Sequence, residues 1–301
     1  MSDVDQALAV LRAGGLVAIP TETVYGLAAD ASNADAVRRI FTVKRRPADH
    51  PVIVHIADQA EMGAWASSVP RSAAILADAC WPGPLTLLVP RGRDVLDDVT
   101  GGRSTVGLRV PAHPLTLELL HRFGGGLAAP SANRFGRVSP TTAEHVRADL
   151  GDDVDFVLDG GPSPIGVEST IVDCTVEPPQ VLRPGAITAD EVAALLRTSL
   201  GTTDGPSRAP GMLASHYAPR CRVLLADGEA EALSLYDADP TAEIIADDDL
   251  VHYARTLFAR LRDADDRGVP TVIAVLPPAT GLGHAIRDRL TKAAATPGDE
   301  R

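Results

Sequence analysis

The sequence predicts an α/β fold with two domains, on the basis of three observations. Residues 1–200 alternate between short apolar stretches, which are typical of strands, and amphipathic stretches, which are typical of helices. Residues 201–219 form a linker, because most of this segment is rich in Gly, Pro and Ser. Residues 220–301 repeat the alternation on a smaller scale, as a βαβα pattern that fits a small open sheet with parallel pairing. We therefore expect a mixed sheet in the first domain and a smaller second domain.

Two different periodicities predict the elements of the first domain. Apolar residues spaced three and four apart, after a residue suited to an N-cap, indicate helices. Short apolar runs bounded by turn residues indicate strands. The predicted helices are 4–13 with Asp3 as N-cap, 33–43, 141–150 with a capping box at Thr141, and 188–200 with a capping box at Thr188. The predicted strands are 16–19, 51–56, 85–89, 106–110, 156–159, 170–174 and 181–183.

The second domain follows the same rules over about 80 residues. Gly281-Leu282-Gly283 precedes its last helix, but Ile286 stands where a dinucleotide-binding Gly-x-Gly-x-x-Gly motif needs its third glycine. A tight strand–helix turn and a weak dinucleotide signal therefore both remain open. The predicted strands are 222–225, 243–246 and 271–276, and the predicted helices are 230–236, 250–263 and 283–295.

Composition narrows the class of protein. The chain has 301 residues and a net charge of −12, so its overall field would repel a polyanion such as RNA. No apolar stretch approaches the roughly 20 residues that span a bilayer, and the N-terminus lacks the basic segment of a signal peptide. We expect a cytosolic protein without a membrane segment. The three cysteines show no metal-ligand spacing, and buried free thiols are expected.

The chain has only two lysines, and one of them opens the basic run Lys44-Arg45-Arg46-Pro47. Five cations and no acid fall within 38–46, at a predicted junction from helix to strand. Such junctions often carry binding groups in α/β proteins, and arginine and lysine suit phosphate or carboxylate. An anion site and a solvated basic face are both compatible with this run alone.

Three further polar clusters lie at or beside predicted strands. The segments 20–26, 128–140 and 166–170 combine hydroxyls, an amide or a carboxylate with small residues that allow close approach of the backbone. Arg183-Pro184-Gly185 lies one strand further on, and His55 ends another strand. Polar groups at the carboxyl ends of strands are a usual ligand position. No P-loop, Gly-x-Ser-x-Gly or His-Glu-x-x-His motif is present, so a nucleotide would be held without a P-loop.

Together these clusters resemble the Sua5/YciO/YrdC family, the threonylcarbamoyl-AMP synthases. The resemblance covers residues 5–200, and the linker and second domain are similar to those of the longer, Sua5-type members. The segments that carry it are Pro20-Thr21-Glu22-Thr23-Val24-Tyr25-Gly26-Leu27, Lys44-Arg45-Arg46-Pro47 with His55, Trp81-Pro82-Gly83-Pro84-Leu85-Thr86, Pro130-Ser131-Ala132-Asn133, Ser169-Thr170 with Arg183-Pro184-Gly185, Pro210-Gly211-Met212, His216-Tyr217-Ala218-Pro219, and Gly281-Leu282-Gly283 with Arg287-Asp288-Arg289-Leu290.

The resemblance implies a twisted mixed-sheet, YrdC-like catalytic domain with a positively charged cavity and a small Rossmann-like C-terminal domain. It implies that L-threonine, bicarbonate or CO2, and ATP give threonylcarbamoyl-AMP and pyrophosphate. A partner transferase would then use the product to modify adenosine 37 of tRNA. Mg²⁺ would be carried on ATP, and no protein ligand for a metal is expected. We expect a monomer without stable direct binding of nucleic acid.

The resemblance also implies roles for individual residues. Lys44 and Arg46 would be catalytic, and Arg109 would pair with the threonine carboxylate. His50 stands where the pattern Lys-x-Arg-Pro-x-x-Asn-Pro has asparagine, and it is kept as an ATP contact. The implied threonine pocket is Thr23, His55, Arg109, Ala129 and Ser169. The implied ATP contacts are Arg46, His50, Thr105, Ser131, Asn133, Ser139, Arg183, His216 and Tyr217, the last two as a lid.

Two other functions are left open by the sequence. A binding module for structured RNA would use the basic run and a concave surface, although the net charge of −12 opposes it. A related enzyme could adenylate a carbamoyl group instead of a threonylcarbamoyl group, although the Sua5-type linker and second domain favour the threonine enzyme.

Overall fold

The computed structural model describes residues 2–202, 208–212 and 217–295, and it has two sheets. The α-helices are α1 (Asp3–Arg12), α2 (Ala34–Lys44), α3 (Met62–Trp65), α4 (Arg71–Cys80), α5 (Asp97–Thr100), α6 (Pro114–Phe123), α7 (Ala143–Leu150), α8 (Ala189–Leu196), α9 (Glu229–Ala238), α10 (Leu250–Asp266) and α11 (Gly283–Ala294). The strands are β1 (Val17–Ile19), β2 (Gly26–Asp30), β3 (Ile53–His55), β4 (Leu85–Pro90), β5 (Thr105–Arg109), β6 (Leu127–Ala128), β7 (Phe156–Val157), β8 (Thr170–Asp173), β9 (Gln180–Arg183), β10 (Arg222–Ala226), β11 (Glu243–Ile245) and β12 (Thr271–Val275).

The larger sheet is mixed, in the order β7-β1-β2-β6-β3-β5-β4-β8-β9. Strand β3 illustrates the mixture, because it pairs parallel with β5 and antiparallel with β6. All residues of β1, β3 and β8 are buried. This arrangement confirms the mixed α/β sheet that the sequence predicts, and it brings the ends of β3, β5, β6 and β8 into one region.

The smaller sheet is entirely parallel, with β12 between β10 and β11. Its core consists of apolar residues from β10 and β12 together with α10 and α11. The same core includes Val24, Val138, Val167 and Tyr217, which lie outside this sheet. The small α/β unit therefore packs directly on the segments that precede it, and it confirms the expected second fold unit.

A partly buried ion pair also joins the two units. Arg262 of α10 pairs with Asp149 at 2.6 Å and donates to the backbone carbonyl of Val138. Gly166 has φ of +84° and lies so close to α10 that a Cβ atom there would stand 2.5 Å from the Ala254 carbonyl oxygen. Only glycine suits both the left-handed backbone and the close approach.

The sequence prediction misses helices α3, α4, α5 and α6, and it misplaces the ends of some of the helices that it does predict. Ser2, not Asp3, caps α1, because the Ser2 hydroxyl and the Asp5 carboxylate satisfy each other's backbone N–H groups. Thr142, not Thr141, caps α7. The capping box of Thr188 and Glu191 is confirmed, but α8 ends at Leu196 because Arg197 adopts a left-handed conformation.

Within the described residues, no helix is long and apolar enough to cross a membrane. The three cysteines are free thiols; Cys174 is buried, whereas Cys80 and Cys221 are partly exposed.

Candidate active site

A cleft with about 580 Å³ of empty space, part of which is open solvent, lies at the ends of strands β3 and β5 and at the start of β8. Glu168, Pro210 and Gly211 also line it, so the wall includes part of the linker. It brings together nine residues that the sequence analysis singled out: Thr23, Arg46, His55, Arg109, Ala129, Ser131, Ser169, Arg183 and Tyr217.

Arg109 is held by a buried ion pair at the end of β5. Its Nη2 donates to Glu22 Oε1 at 2.6 Å, and its Nε donates to the Gly83 carbonyl at 3.2 Å. The second Glu22 oxygen accepts the backbone N–H of Ala112 at 3.0 Å. Arginine has five N–H donors, so these two bonds leave three for a ligand. Arg109 is thereby a fixed fork suited to a carboxylate.

Arg183 is fixed in a similar way at the end of β9. Its Nε donates to the Ser169 carbonyl at 3.0 Å, and its Nη2 donates to the Ser169 hydroxyl at 3.1 Å. The same hydroxyl lies 2.8 Å from the hydroxyl of Thr86. The third contact of Arg183, from Nη1 to the Pro210 carbonyl at 3.2 Å, reaches the linker. The cation is therefore held by both the sheet and the linker.

Arg46 is the third arginine of the cleft. Its Nη2 donates to the Pro51 carbonyl at 2.8 Å, and its guanidinium lies 5.7 Å from the centre of the Phe135 ring. Its Nε has no hydrogen-bond partner in the part of the chain that the structure describes. Burial lowers the pKa of Arg46 to about 10, and the charge of Arg183 contributes. Positive charges that are buried close together repel each other, and a bound anion would reduce that repulsion.

Lys44 lies behind the cleft wall and does not line it. Its side chain is buried, and its Nζ donates to the carbonyls of Ser131 at 2.5 Å and Asn133 at 2.6 Å. Burial, with the charge of Arg46, lowers the pKa of Lys44 well below its usual range. In this conformation the amine anchors the loop that carries Ser131.

Ser139 and Asn133 also lie outside the cleft lining. The Ser139 hydroxyl donates to Glu168 Oε1 at 2.5 Å, so it contacts the wall from behind. The Asn133 amide donates to the carbonyls of Arg134 and Arg137 at 2.8 and 2.7 Å, which closes the loop.

The four remaining residues that were expected to contact ATP are His50, Thr105, His216 and Tyr217. The three of them that the structure describes lie in different places. His50 packs edge-on against Phe135, with ring centres 5.4 Å apart, on the ring that Arg46 also contacts. Thr105 begins β5 opposite Pro90, away from the cleft lining. His216 lies outside the described residues. Tyr217 is buried, has φ of +63°, and stacks on Phe258 of α10.

His55 is a neutral side chain among these cations. It is buried at the end of β3, and burial with the nearby charge of Arg109 lowers its pKa to about 3. The imidazole therefore stays uncharged near neutral pH and adds no positive charge to the cleft.

This buried histidine should make stability pH-dependent. Below pH 6.5, His55 becomes protonated in the unfolded chain but stays neutral in the folded chain. The free energy of unfolding therefore falls as the pH drops from 6.5 towards 3. Each unit of pKa difference corresponds to about 1.4 kcal/mol. We expect the wild type to lose about 2–3 kcal/mol more than His55→Gln between pH 7.5 and pH 4.5. Urea unfolding of both proteins at the two values measures it.

The control is His121→Gln, because the His121 side chain is exposed on α6. This variant should lose as much stability as the wild type over the same range. An equal loss in His55→Gln and wild type would contradict a buried, neutral His55.

Two acidic residues of the site were not assigned a role from the sequence. Glu22 is the counter-ion of Arg109, and Glu168 accepts bonds from Ser139 and from Arg289 of α11. The position of Glu22 directly after a buried strand is the one signal that could have indicated it. In the described part of the chain, no group of three or more His, Cys, Asp or Glu residues could hold a metal ion.

Comparisons with known proteins agree over nearly the whole chain. Residues 9–185 match the family model Sua5_yciO_yrdC, described as "Telomere recombination", and residues 187–295 match "Threonylcarbamoyl-AMP synthase, C-terminal domain". Proteins named threonylcarbamoyl-AMP synthase from Pyrococcus abyssi and Bacillus subtilis are 39% and 40% identical, over 95% and 96% of this chain and 92% of each relative. The crystal structure of P. abyssi Sua5 complexed with L-threonine superimposes with a TM-score of 0.92 at 37% identity, covering 98% of this chain and 95% of that one.

Proposed function

The chain belongs to the Sua5/YciO/YrdC family and includes the C-terminal domain of its Sua5-type members, and on that basis we propose that it is a threonylcarbamoyl-AMP synthase. The proposed reaction converts L-threonine, bicarbonate or CO2, and ATP into threonylcarbamoyl-AMP and pyrophosphate. The structural observation that supports it most is the convergence of Arg46, Arg109 and Arg183 in one cleft.

The three arginines suit the electrostatic demand of this reaction. A carbamate oxygen must approach the α-phosphate of ATP, so two anions have to be brought together. Fixed cations in a partly buried cleft reduce that repulsion and act more strongly there than in water. Because the contacts to Glu22, Gly83 and Ser169 already fix Arg109 and Arg183, little reorganisation is needed when substrates bind.

Each arginine has a proposed place in the reaction. Arg109 would take the threonine carboxylate, beside His55, Thr23, Ala129 and Ser169. Arg46 and Arg183 would face the phosphates of ATP, and the Nε of Arg46, which no described residue contacts by a hydrogen bond, would serve for that contact. Lys44 would act on the ATP side by fixing the loop that carries Ser131, which its contacts to that loop support.

Mg²⁺ would be held by the phosphates of ATP and would neutralise part of their charge. The carboxylates of the site fit an ion held by the substrate, because their oxygens already accept hydrogen bonds from protein groups. Glu22 accepts from Arg109 and Ala112, and Glu168 accepts from Ser139 and Arg289.

The linker and the downstream steps complete the proposal. Tyr217, with Pro210 and Gly211, lines the cleft from the linker side and would exclude water from the mixed anhydride. The product would pass to a separate transferase that modifies tRNA, and the synthase itself would act in the cytosol as a monomer.

Pyrophosphate release tests the proposed function. With ATP, bicarbonate and Mg²⁺, we expect release that depends on L-threonine and a product with the mass of threonylcarbamoyl-AMP. Leaving out bicarbonate should remove the product, and Lys44→Ala should reduce the release. Release that ignores threonine would contradict the proposal and favour a carbamoyl-adenylate enzyme. Tight tRNA binding without ATP and without turnover would favour an RNA-binding module.

A further inference from the structure

A cation from the C-terminal unit stands behind the wall of the cleft. Arg289 of α11 has a fully buried side chain, and its Nε donates to Glu168 Oε2 at 2.7 Å. Its Nη2 donates to the Pro184 carbonyl at 3.1 Å, and its Nη1 donates to Asp288 at 2.5 Å. The guanidinium also lies 5.2 Å from the centre of the Tyr217 ring. A fully buried arginine with this many partners is held in one orientation.

Three of the four contact partners of Arg289 line the cleft or adjoin a residue that lines it, and the fourth is Asp288 of its own helix. Glu168 lines the cleft and precedes Ser169, Pro184 follows Arg183, and Tyr217 lines it from the linker. One side chain therefore ties together three separate segments of the wall. Lys292, one turn further along α11, extends this support, because its Nζ donates to the Gly211 carbonyl at 2.6 Å.

The charge of Arg289 also matters for Glu168. A carboxylate in a cleft that takes anions would oppose binding unless a cation neutralises it. Burial alone would raise the pKa of Glu168, but the charges of Arg289 and Arg183, together with the hydrogen bonds from Ser139 and Arg289, outweigh burial and lower that pKa. Without Arg289, the charge of Arg183 would still act on Glu168, but the bonds of Arg183 go to Ser169 and Pro210.

We propose that Arg289 is a positioning residue of the active site, which neutralises Glu168 and so keeps Arg183 and Ser169 directed at the anionic substrates. This inference rests on the proposed synthase activity. It assigns the C-terminal unit a direct part in the reaction, since α11 supplies the cation that pairs directly with Glu168.

Two variants separate positioning from simple support of the fold. Arg289→Met removes the charge at similar length, and Arg289→Met with Glu168→Gln removes the charge of both partners. We expect Arg289→Met to lower kcat/KM for ATP by roughly 30-fold or more, because the unpaired carboxylate repels the phosphates and draws Arg183 away. The double variant should recover most of this loss, since no unpaired charge remains. Arg289→Lys keeps the charge but loses the planar guanidinium, so its kcat/KM for ATP should lie between the values of Arg289→Met and the wild type.

The pH profile gives a second, independent readout. In Arg289→Met the pKa of Glu168 should rise. We define the pH ratio as the KM of the variant for ATP divided by the wild-type KM at the same pH. This ratio should increase from pH 6 to pH 8.5, because Glu168 ionises over that range. Among the described residues, Arg183 and Tyr217 also interact with Glu168, and Asp288 and Lys292 interact with Arg289; all four stay present in every variant. The double variant should show a flat ratio, because glutamine does not titrate.

The control is Arg267→Met, which removes an exposed arginine of the same unit that pairs with Glu243 and Asp263. It should retain wild-type kcat/KM. Absence of threonine-dependent release in the wild type would overturn the proposed function itself. Normal release in the wild type, with Arg289→Met as active as Arg267→Met, would overturn only the role of Arg289. A loss that the double variant does not recover, with a flat pH ratio, would also overturn it, because that pattern belongs to a purely structural residue.

Discussion

Arg109→Met should raise the KM for L-threonine by about 30- to 5,000-fold. Truncating one partner of a buried charge pair costs about 2–5 kcal/mol, and Arg109 is the cation proposed to receive the substrate carboxylate. The same change should lower the free energy of unfolding by about 3–5 kcal/mol, because Glu22 would remain buried without its cation. Steady-state pyrophosphate release at varied threonine, and urea unfolding of the same preparation, measure the two effects.

The double variant Glu22→Gln with Arg109→Met separates affinity from stability. It removes the unpaired carboxylate, so it should recover most of the stability without recovering threonine affinity. A variant Arg109→Met with an unchanged KM for threonine would show that the substrate carboxylate binds elsewhere. Recovery of both properties in the double variant would mean that Arg109 acts only as a partner of Glu22.

Arg46→Met should lower kcat/KM for ATP by about 100- to 1,000-fold, the range found when one preorganised donor to a developing charge is removed. Stability should change little, within about 1 kcal/mol, because two effects oppose each other: the variant loses one hydrogen bond to Pro51, but it no longer buries a cation whose Nε has no partner among the described residues. Activity and stability should therefore separate at this position. Initial rates at varied ATP, with urea unfolding, are the measurements.

Arg45→Met is the matched control for Arg46. Arg45 is adjacent and exposed, and methionine would take the same left-handed backbone at φ of 54°. This variant should keep nearly full activity. Equal losses in the two variants would indicate that the whole basic run acts as a diffuse field, without a specific contact from Arg46.

The sequence predicted most strands because their cores are apolar and end at turn residues. Strand β4, predicted as 85–89, is Leu85–Pro90, and β12, predicted as 271–276, is Thr271–Val275. Strand β2 (Gly26–Asp30) was missed because glycine and alanine have low strand propensity. Its conformation comes from pairing with β1 and β6 on its two sides, which local sequence does not reveal.

The residues of the candidate site that lie in local motifs could be predicted from the sequence, whereas the contacts between distant residues could not. Residues within recognisable motifs, such as Arg46, Ser131 and Arg183, were singled out from the sequence and line the cleft. The ion pairs that hold the site were not, because Glu22 and Arg109 are 87 residues apart and Glu168 and Arg289 are 121 apart. A carboxylate gives no local sign of a counter-ion at such separations.

The pair between Glu168 and Arg289 also constrains how this chain could have evolved. A descendant that lost the segment after α8 would keep Arg46, Arg109 and Arg183, but it would inherit Glu168 without its counter-ion. Selection would then favour a neutral residue at that position or a new cation nearby. The gain or loss of the second domain is therefore coupled to the residue at position 168, and the two changes should occur together along a lineage.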